Sequence, residues 1–415
     1  MTDDSQLTQS ERLFTYDFKV LLLAATFGFG NIAIFYGFET YLARLGIDPA
    51  WRGWLLGAEP LAAFCLRPFL SVLVTPRNAL PLVRASLIGM GLALCAYQFA
   101  RGIGPILAIR LFHGVSFVFL VSAVTVLLAQ TIPKALAGRA FGYFSLSSLV
   151  PYALMPPLAE WLLSRLGRED RVYAVCSILV LPALALLAPL GKHLKRQAKA
   201  GLAGAGRPMV SDVLQTLALP PIRLVLLANL CLFMSTTLIF FFIKPFAMGL
   251  GLADPGLFFT VSTGASMAVR VVAGRYFDRL PKETVLVGAL VCLAACMVGF
   301  AATTGQPRLL VLAGAYGLCL GVALPLMSAV MFGYSPPAMR GTNLNLMLFM
   351  MDTAYVFGPI AGGAILAGGA GYPTLFFTSC AFAAGAGLLV VPLVAASRRG
   401  QPLASGQTEK RPASR

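Results

Sequence analysis

Seven ionisable residues stand inside apolar stretches of this chain: Glu39, Glu59, Arg67, Arg110, Lys244, Arg270 and Asp352. A charge in hydrocarbon costs about 2.5–3.5 kcal/mol on insertion scales, so each of these residues marks either chemistry or a partner. Asp352, in LMLFMMDTAYVFGP, lies about eleven residues into its run, near the bilayer midplane at about 1.5 Å per residue. A carboxylate there can load and unload a proton. Arg110 and His113 are three apart and share one helix face. A fixed cation beside an imidazole suits an anionic group or a proton relay; the alternative is that Arg110 braces neighbouring helices and His113 packs. Glu59, next to Pro60, can partner Arg67 or Arg110. Arg67 and Arg270 sit in the inner third of their runs and are expected to brace structure by reaching headgroups. Asn31, Tyr36, Tyr316, Asn229, Tyr355 and the run Phe240–Phe242 either line a path or pack.

These residues need long apolar elements to hold them. The chain has 415 residues, 58% hydrophobic and 12% charged, with a mean hydropathy of +0.81. A soluble domain carries about 25% charged residues, so a water-soluble enzyme and a disordered chain are both excluded. A spanning helix needs about 20 apolar residues, and twelve such runs are predicted: 18–44, 51–74, 79–99, 104–130, 138–163, 171–190, 222–247, 254–274, 284–303, 309–333, 341–367 and 372–396. The expected organisation is a short tail (1–17), a six-helix bundle (18–190), a basic, Gly-rich central loop (191–221), a second six-helix bundle (222–396) and a tail (397–415). With the N-terminus inside, 21 of the 32 Lys and Arg residues fall in cytoplasmic segments and 7 outside. Both termini are therefore expected in the cytoplasm. The net charge of +16 is then a matter of topology, and no nucleic-acid partner is implied. The acid-bearing start MTDDSQLTQSERLFTYD does not read as a signal peptide.

The two halves repeat. Arg67 and Arg270, His113-Gly114 and Tyr316-Gly317, and Pro156 and Pro359 are each 203 positions apart. A six-plus-six repeat implies two equivalent bundles facing each other, an arrangement in which transporters place substrate near the midplane. Glu39 and Lys244 occupy matching places near the outer ends of the first helix of each half.

Three motifs carry a resemblance to the major facilitator superfamily. Gly274-Arg-Tyr-Phe-Asp278-Arg279 resembles its G-x-x-x-D-R loop, Arg110-Leu-Phe-His-Gly114 its R-x-x-x-G, and Gly358-Pro-Ile-Ala-Gly362-Gly363 its G-P-x-x-G-G pattern. The resemblance covers about residues 18–396. It implies an all-α membrane protein of twelve helices in two pseudo-symmetric bundles, moving small solutes by alternating access, often with protons. It also implies that helices 1, 4, 7 and 10 line the cavity and that the outer ends of helices 1 and 7 form a gate. Glu39 and Lys244 are thus expected to pair when the cavity faces inward. Asp278 and Arg279, with Arg139 on helix 5, are expected to hold the inner gate. In the first half the loop motif has Thr75 in place of Asp, and helix 5 lacks the glycines of drug–proton antiporters. The sugar- and metabolite-efflux branch is therefore the nearer expectation.

The functional expectation is a monomeric inner-membrane transporter exporting a small organic solute in exchange for protons. Import or uniport of an organic anion and lipid flipping are the alternatives. No G-x-x-x-x-G-K-[ST], HExxH or G-x-S-x-G occurs, and no metal or cofactor is expected. The eight Cys show neither CxxC nor metal-knuckle spacing and read as small core residues.

Overall fold

The computed structural model describes residues 14–75, 77–131, 137–190, 214, 216–273, 281–336 and 339–399. Among them, twelve long helical rods follow the apolar runs in order. They are α1 (Tyr16–Arg44), α2 (Pro49–Leu66), α3 (Ala79–Ala96), α4 (Ile103–Thr131), α5 (Ala137–Leu166) and α6 (Glu169–Leu187). The second half supplies α7 (Pro220–Gly249), α8 (Leu257–Ala273), α9 (Lys282–Ala301), α10 (Gln306–Tyr334), α11 (Arg340–Ala367) and α12 (Gly371–Arg398). α1 tightens into a 3₁₀ turn at Ile34–Gly37. α2 begins where Asp48 accepts from the Ala50 amide at 2.8 Å with Pro49 in the first turn, and it runs on through a 3₁₀ turn at Arg67–Phe69.

Nine of these rods are long and apolar enough to cross a membrane. α2, α5 and α8 fall outside that set. Each departs from a plain apolar rod: α2 carries Arg52 and Glu59, α5 carries three prolines and Glu160, and α8 is 17 residues long and ends near Arg270.

Packing repeats between halves. α2 crosses α4 as α8 crosses α10, α1 lies on α5 as α7 lies on α11, and α3 packs on α4 as α9 does on α10. The closest crossings lie in register with the sequence repeat. A Cβ on Gly114 would sit 2.1 Å from the Glu59 carbonyl oxygen, and a Cβ on Gly317 would sit 1.9 Å from that of Ser262. Both members of the second pair stand 203 positions after those of the first. No other side chain fits so close a crossing.

The halves meet along two long seams, α2 on α11 and α5 on α8. A Cβ on Gly53 would lie 2.6 Å from the Pro359 carbonyl oxygen, and a Cβ on Gly256 would lie 2.6 Å from Pro156 and Pro157 backbone atoms. Adding 203 to Gly53 and Pro156 gives Gly256 and Pro359, so the two contacts are one contact with the halves exchanged.

Candidate functional site

The α2/α11 seam holds an ion pair. Arg67, on the 3₁₀ turn after α2, donates from Nε and Nη2 to the two carboxylate oxygens of Asp352 on α11; the Nη2–Oδ1 distance is 2.9 Å. Both side chains are largely shielded. The fork of a guanidinium fits a carboxylate in this two-point way. Arg67 does not reach for headgroups, contrary to expectation. It turns back along the seam, because the partner that offsets its burial lies there. Beside the pair Phe64 stacks on Phe349 at 4.9 Å, and Gly57 lets α2 approach the Val356 carbonyl.

Arg110 belongs inside the first bundle. It is 1% exposed and donates from Nε and Nη2 to the Leu55 and Leu56 carbonyls of α2, at 3.2 and 2.9 Å. Glu59 Oε2 stands 3.8 Å from it, which settles Glu59's partner as Arg110, and the guanidinium lies over the rings of Phe35 and Phe38. Two donors spent on backbone make Arg110 a brace between α4 and α2 in this structure, the second of its two expected roles. His113 is fully buried against Phe35, and neither ring nitrogen has a hydrogen-bond partner. Its repeat mate Tyr316 is likewise packed within its own bundle, among Phe258 and Phe300. These two residues therefore do not line the seams. Asn31 is buried as well, with its side-chain amide donating to the Phe27 carbonyl one turn back.

Glu39 and Lys244 do not pair in this structure. Arg52 holds Glu39 at 3.0 Å, whereas Lys244 reaches Glu160 of α5 at 2.6 Å. Lys244 does lie against the C-terminal part of α1, since a Cβ on Gly37 would sit 2.9 Å from its Nζ. Tyr36 completes the cluster: its hydroxyl donates to Glu160, and the Lys244 ammonium sits 5.0 Å from the centre of its ring. α1, α5 and α7 thus meet at a Tyr36–Glu160–Lys244 cluster that joins the two halves. Glu160 was not singled out from the sequence. It falls near the outer end of its run, close to Arg165 and Arg168, where a carboxylate reads as an interfacial residue.

The α5/α8 seam is the counterpart of α2/α11. Thr260 donates to the Ala153 carbonyl at 2.7 Å, and Arg270 Nη1 donates to Ser145 Oγ at 3.0 Å. Arg270 Nε has no hydrogen-bond partner among the described residues. Just before α8 Asp254 accepts from the Gly256 amide at 2.9 Å, and burial pushes its carboxyl above the usual range. Rings from both halves meet nearby: Tyr152 of α5 lies 5.9 Å from Phe240 of α7, which lies 5.6 Å from Phe259 and 6.4 Å from Tyr355.

Asp278 and Arg279 lie outside the described residues, as does the side chain of Arg139. Among the described residues no group of His, Cys, Asp and Glu is arranged to hold a metal ion.

The model of the Major Facilitator Superfamily matches residues 20–307 and 256–414. The chain belongs to this superfamily. It is 22% identical over 347 residues to the uncharacterized MFS-type transporter YuxJ of Bacillus subtilis (strain 168), covering 83% of this chain and 88% of that protein. A shorter match, 33% identical over 107 residues, is to a gallate transporter of Pseudomonas putida and covers 26% of this chain and 24% of that one. The crystal structure of the nucleoside transporter NupG (D323A mutant) superposes with a TM-score of 0.69 at 12% identity, over 91% of this chain and 99% of that one. The last likeness is one of fold. The protein is a multi-pass membrane transporter of small molecules, not an enzyme.

Proposed function

We propose that this superfamily member moves a small organic solute across the plasma (inner) membrane by alternating access, coupled to protons through Asp352 and Arg67. The twelve rods are read as twelve spans in two bundles, 18–190 and 222–396, joined by a cytoplasmic loop at 191–221. Both termini are cytoplasmic and the working unit is a monomer. The observation that carries the coupling is the two-point Arg67–Asp352 pair, which joins the halves deep in the seam. Alternating access has to part such a pair, and leaving either charge bare inside protein costs about 3–5 kcal/mol. A proton on Asp352 removes one charge, and an anion drawn in between the halves offsets the other.

The direction follows from what the proton does to the solute. Outward exchange requires solute and proton to exclude each other at Asp352, as a cationic solute would. The pairing favours the other arrangement. Protonation leaves an uncompensated arginine charge between the halves that an anion offsets, so proton and anion load together, and an inward proton gradient then drives import. One proton moving through about 150 mV supplies roughly 3.5 kcal/mol, enough for a gradient of a few hundredfold.

Metabolite profiling of cells lacking the protein against cells overproducing it identifies the solute and its direction. In proteoliposomes, Asp352→Asn should then abolish solute-driven proton flux. Unchanged proton flux in that variant would sink the coupling role. Accumulation of the solute in the medium on overproduction would restore outward exchange.

A further inference from the structure

Three of the four cations set deepest in the seams and bundle cores have a carboxylate. Arg67 has Asp352, Arg110 has Glu59 and Lys244 has Glu160. Arg270 has a serine. Its Nη1 donates to Ser145 Oγ, and its Nε, shielded from solvent, finds no hydrogen-bond partner. Among the described residues Arg270 takes part in no ion pair, although it is the repeat mate of Arg67, whose guanidinium is doubly held. A guanidinium is a rigid fork of five donors that fits an oxyanion at two points. Among the described residues Ser145 is the one hydrogen-bond partner of Arg270.

The surroundings say what an incoming anion would be attached to. Ser145 and Tyr152 are seven positions apart on α5, two turns along one face. Tyr152 meets Phe240, and Phe240 meets Phe259 and Tyr355, so the rings come from α5, α7, α8 and α11, on both sides of the junction between halves. Tyr152, Phe240 and Tyr355 each keep part of their surface open. A ring-bearing body can stack among them with its charged end directed inward along the seam.

We propose that Arg270 receives the anionic group of the transported solute, an organic carboxylate with an aromatic body lying outward along the α5/α8 seam. This rests on the proton-coupled reading above and names its class of solute. An anionic lipid headgroup would offer Arg270 the same oxyanion chemistry, so the test separates the two sources.

The full chain is placed in nanodiscs of neutral phosphatidylcholine, and its thermal unfolding is followed with benzoate and, as an uncharged ring of the same size, benzyl alcohol. Benzoate should raise the midpoint in a saturable way and benzyl alcohol should not. Arg270→Gln should weaken benzoate at least tenfold, and Arg270→Lys should keep part of the response. Ser145→Asp supplies the carboxylate this seam lacks. It should raise the midpoint without ligand and abolish the benzoate response, an outcome that a merely misfolded variant cannot imitate. An undiminished benzoate response in Arg270→Gln and Ser145→Asp would overturn the proposal, as would an equal response to benzyl alcohol. Stabilisation by phosphatidylglycerol in the disc, with none by benzoate, would assign Arg270 to a lipid instead. If benzoate acts on no form of the protein while Asp352→Asn still abolishes proton flux with the profiled solute, this inference falls and the coupling reading stands.

Discussion

The two seams between the halves start from the same plan and end with opposite chemistry. Gly53 meets Pro359 at one end of the first and Gly256 meets Pro156 at the matching end of the second. One turn further in, the α2/α11 seam places Gly57 against the Val356 carbonyl, whereas the α5/α8 seam places Thr260 in a hydrogen bond to the Ala153 carbonyl. Deeper still, one arginine meets a carboxylate and its mate meets a hydroxyl. The shared glycine–proline contacts show that backbone approach defines both seams. What differs is the charge each seam holds, and therefore what it takes to open it.

Several substitutions can break or sharpen that contrast. The largest effect is expected at Asp352: Asp352→Asn strands Arg67 and should destabilise by about 3–5 kcal/mol, whereas Ser145→Ala should cost about 1 kcal/mol. Adding Arg67→Gln to Asp352→Asn should recover most of the loss. Equal costs for Asp352→Asn and Ser145→Ala in thermal unfolding would erase the distinction between the seams. Next comes the backbone approach. A Cβ on Gly57 would lie 2.6 Å from a main-chain oxygen that cannot move aside, so Gly57→Ala should cost about 1–3 kcal/mol. Thr260→Val, which removes one hydrogen bond, should cost about 1 kcal/mol.

The third test concerns the outer cluster. A double-mutant cycle on Glu160→Gln and Lys244→Gln should give a coupling of about 1–3 kcal/mol, and one on Glu39→Gln and Lys244→Gln should be additive within about 0.5 kcal/mol. The reverse result would reinstate the Glu39–Lys244 gate. The smallest effect is at Asp254. Its folded carboxyl holds a proton to higher pH than the ordinary value of 3.8. The charge therefore becomes a liability as pH rises through the folded value, and the liability is absent below the unfolded one. Asp254→Asn keeps an oxygen for the Gly256 amide. It should raise the midpoint by about 1 °C at pH 7 and leave it unchanged near pH 3, the exposed part of the group being well screened. A gain of equal size at both pH values would show that charge is not its cause.

The helical rods and their repeat were legible because both are written in local pattern. Apolar length places a helix, and the recurrence of Arg67 at Arg270 or Gly114 at Gly317 is visible along the chain. Which way a side chain turns is not local. Asp352's depth was readable, but Arg67 stands 285 positions away, and a side chain of that length can turn toward the surface or back along the seam. From the sequence Arg110 suits either a cavity cation or a brace, because spacing along one helix does not show which neighbour it faces. Its orientation toward α2 follows from the close crossing at Gly114, which brings the Leu55 and Leu56 carbonyls within reach. Glu160 was passed over for a related reason: it looks interfacial from its own helix and becomes buried only once α7 is laid against α5.

The unequal arginines also say something about ancestry. Two identical half-length chains associating about a two-fold axis would form both seams from one contact, so each would carry the carboxylate or neither would. A seam with Asp352 opposite a seam with Ser145 requires both halves on a single chain, where each copy can change without the other. One continuous chain thus does more than tether two bundles: it lets one arginine be balanced by a carboxylate while its repeat mate meets a hydroxyl.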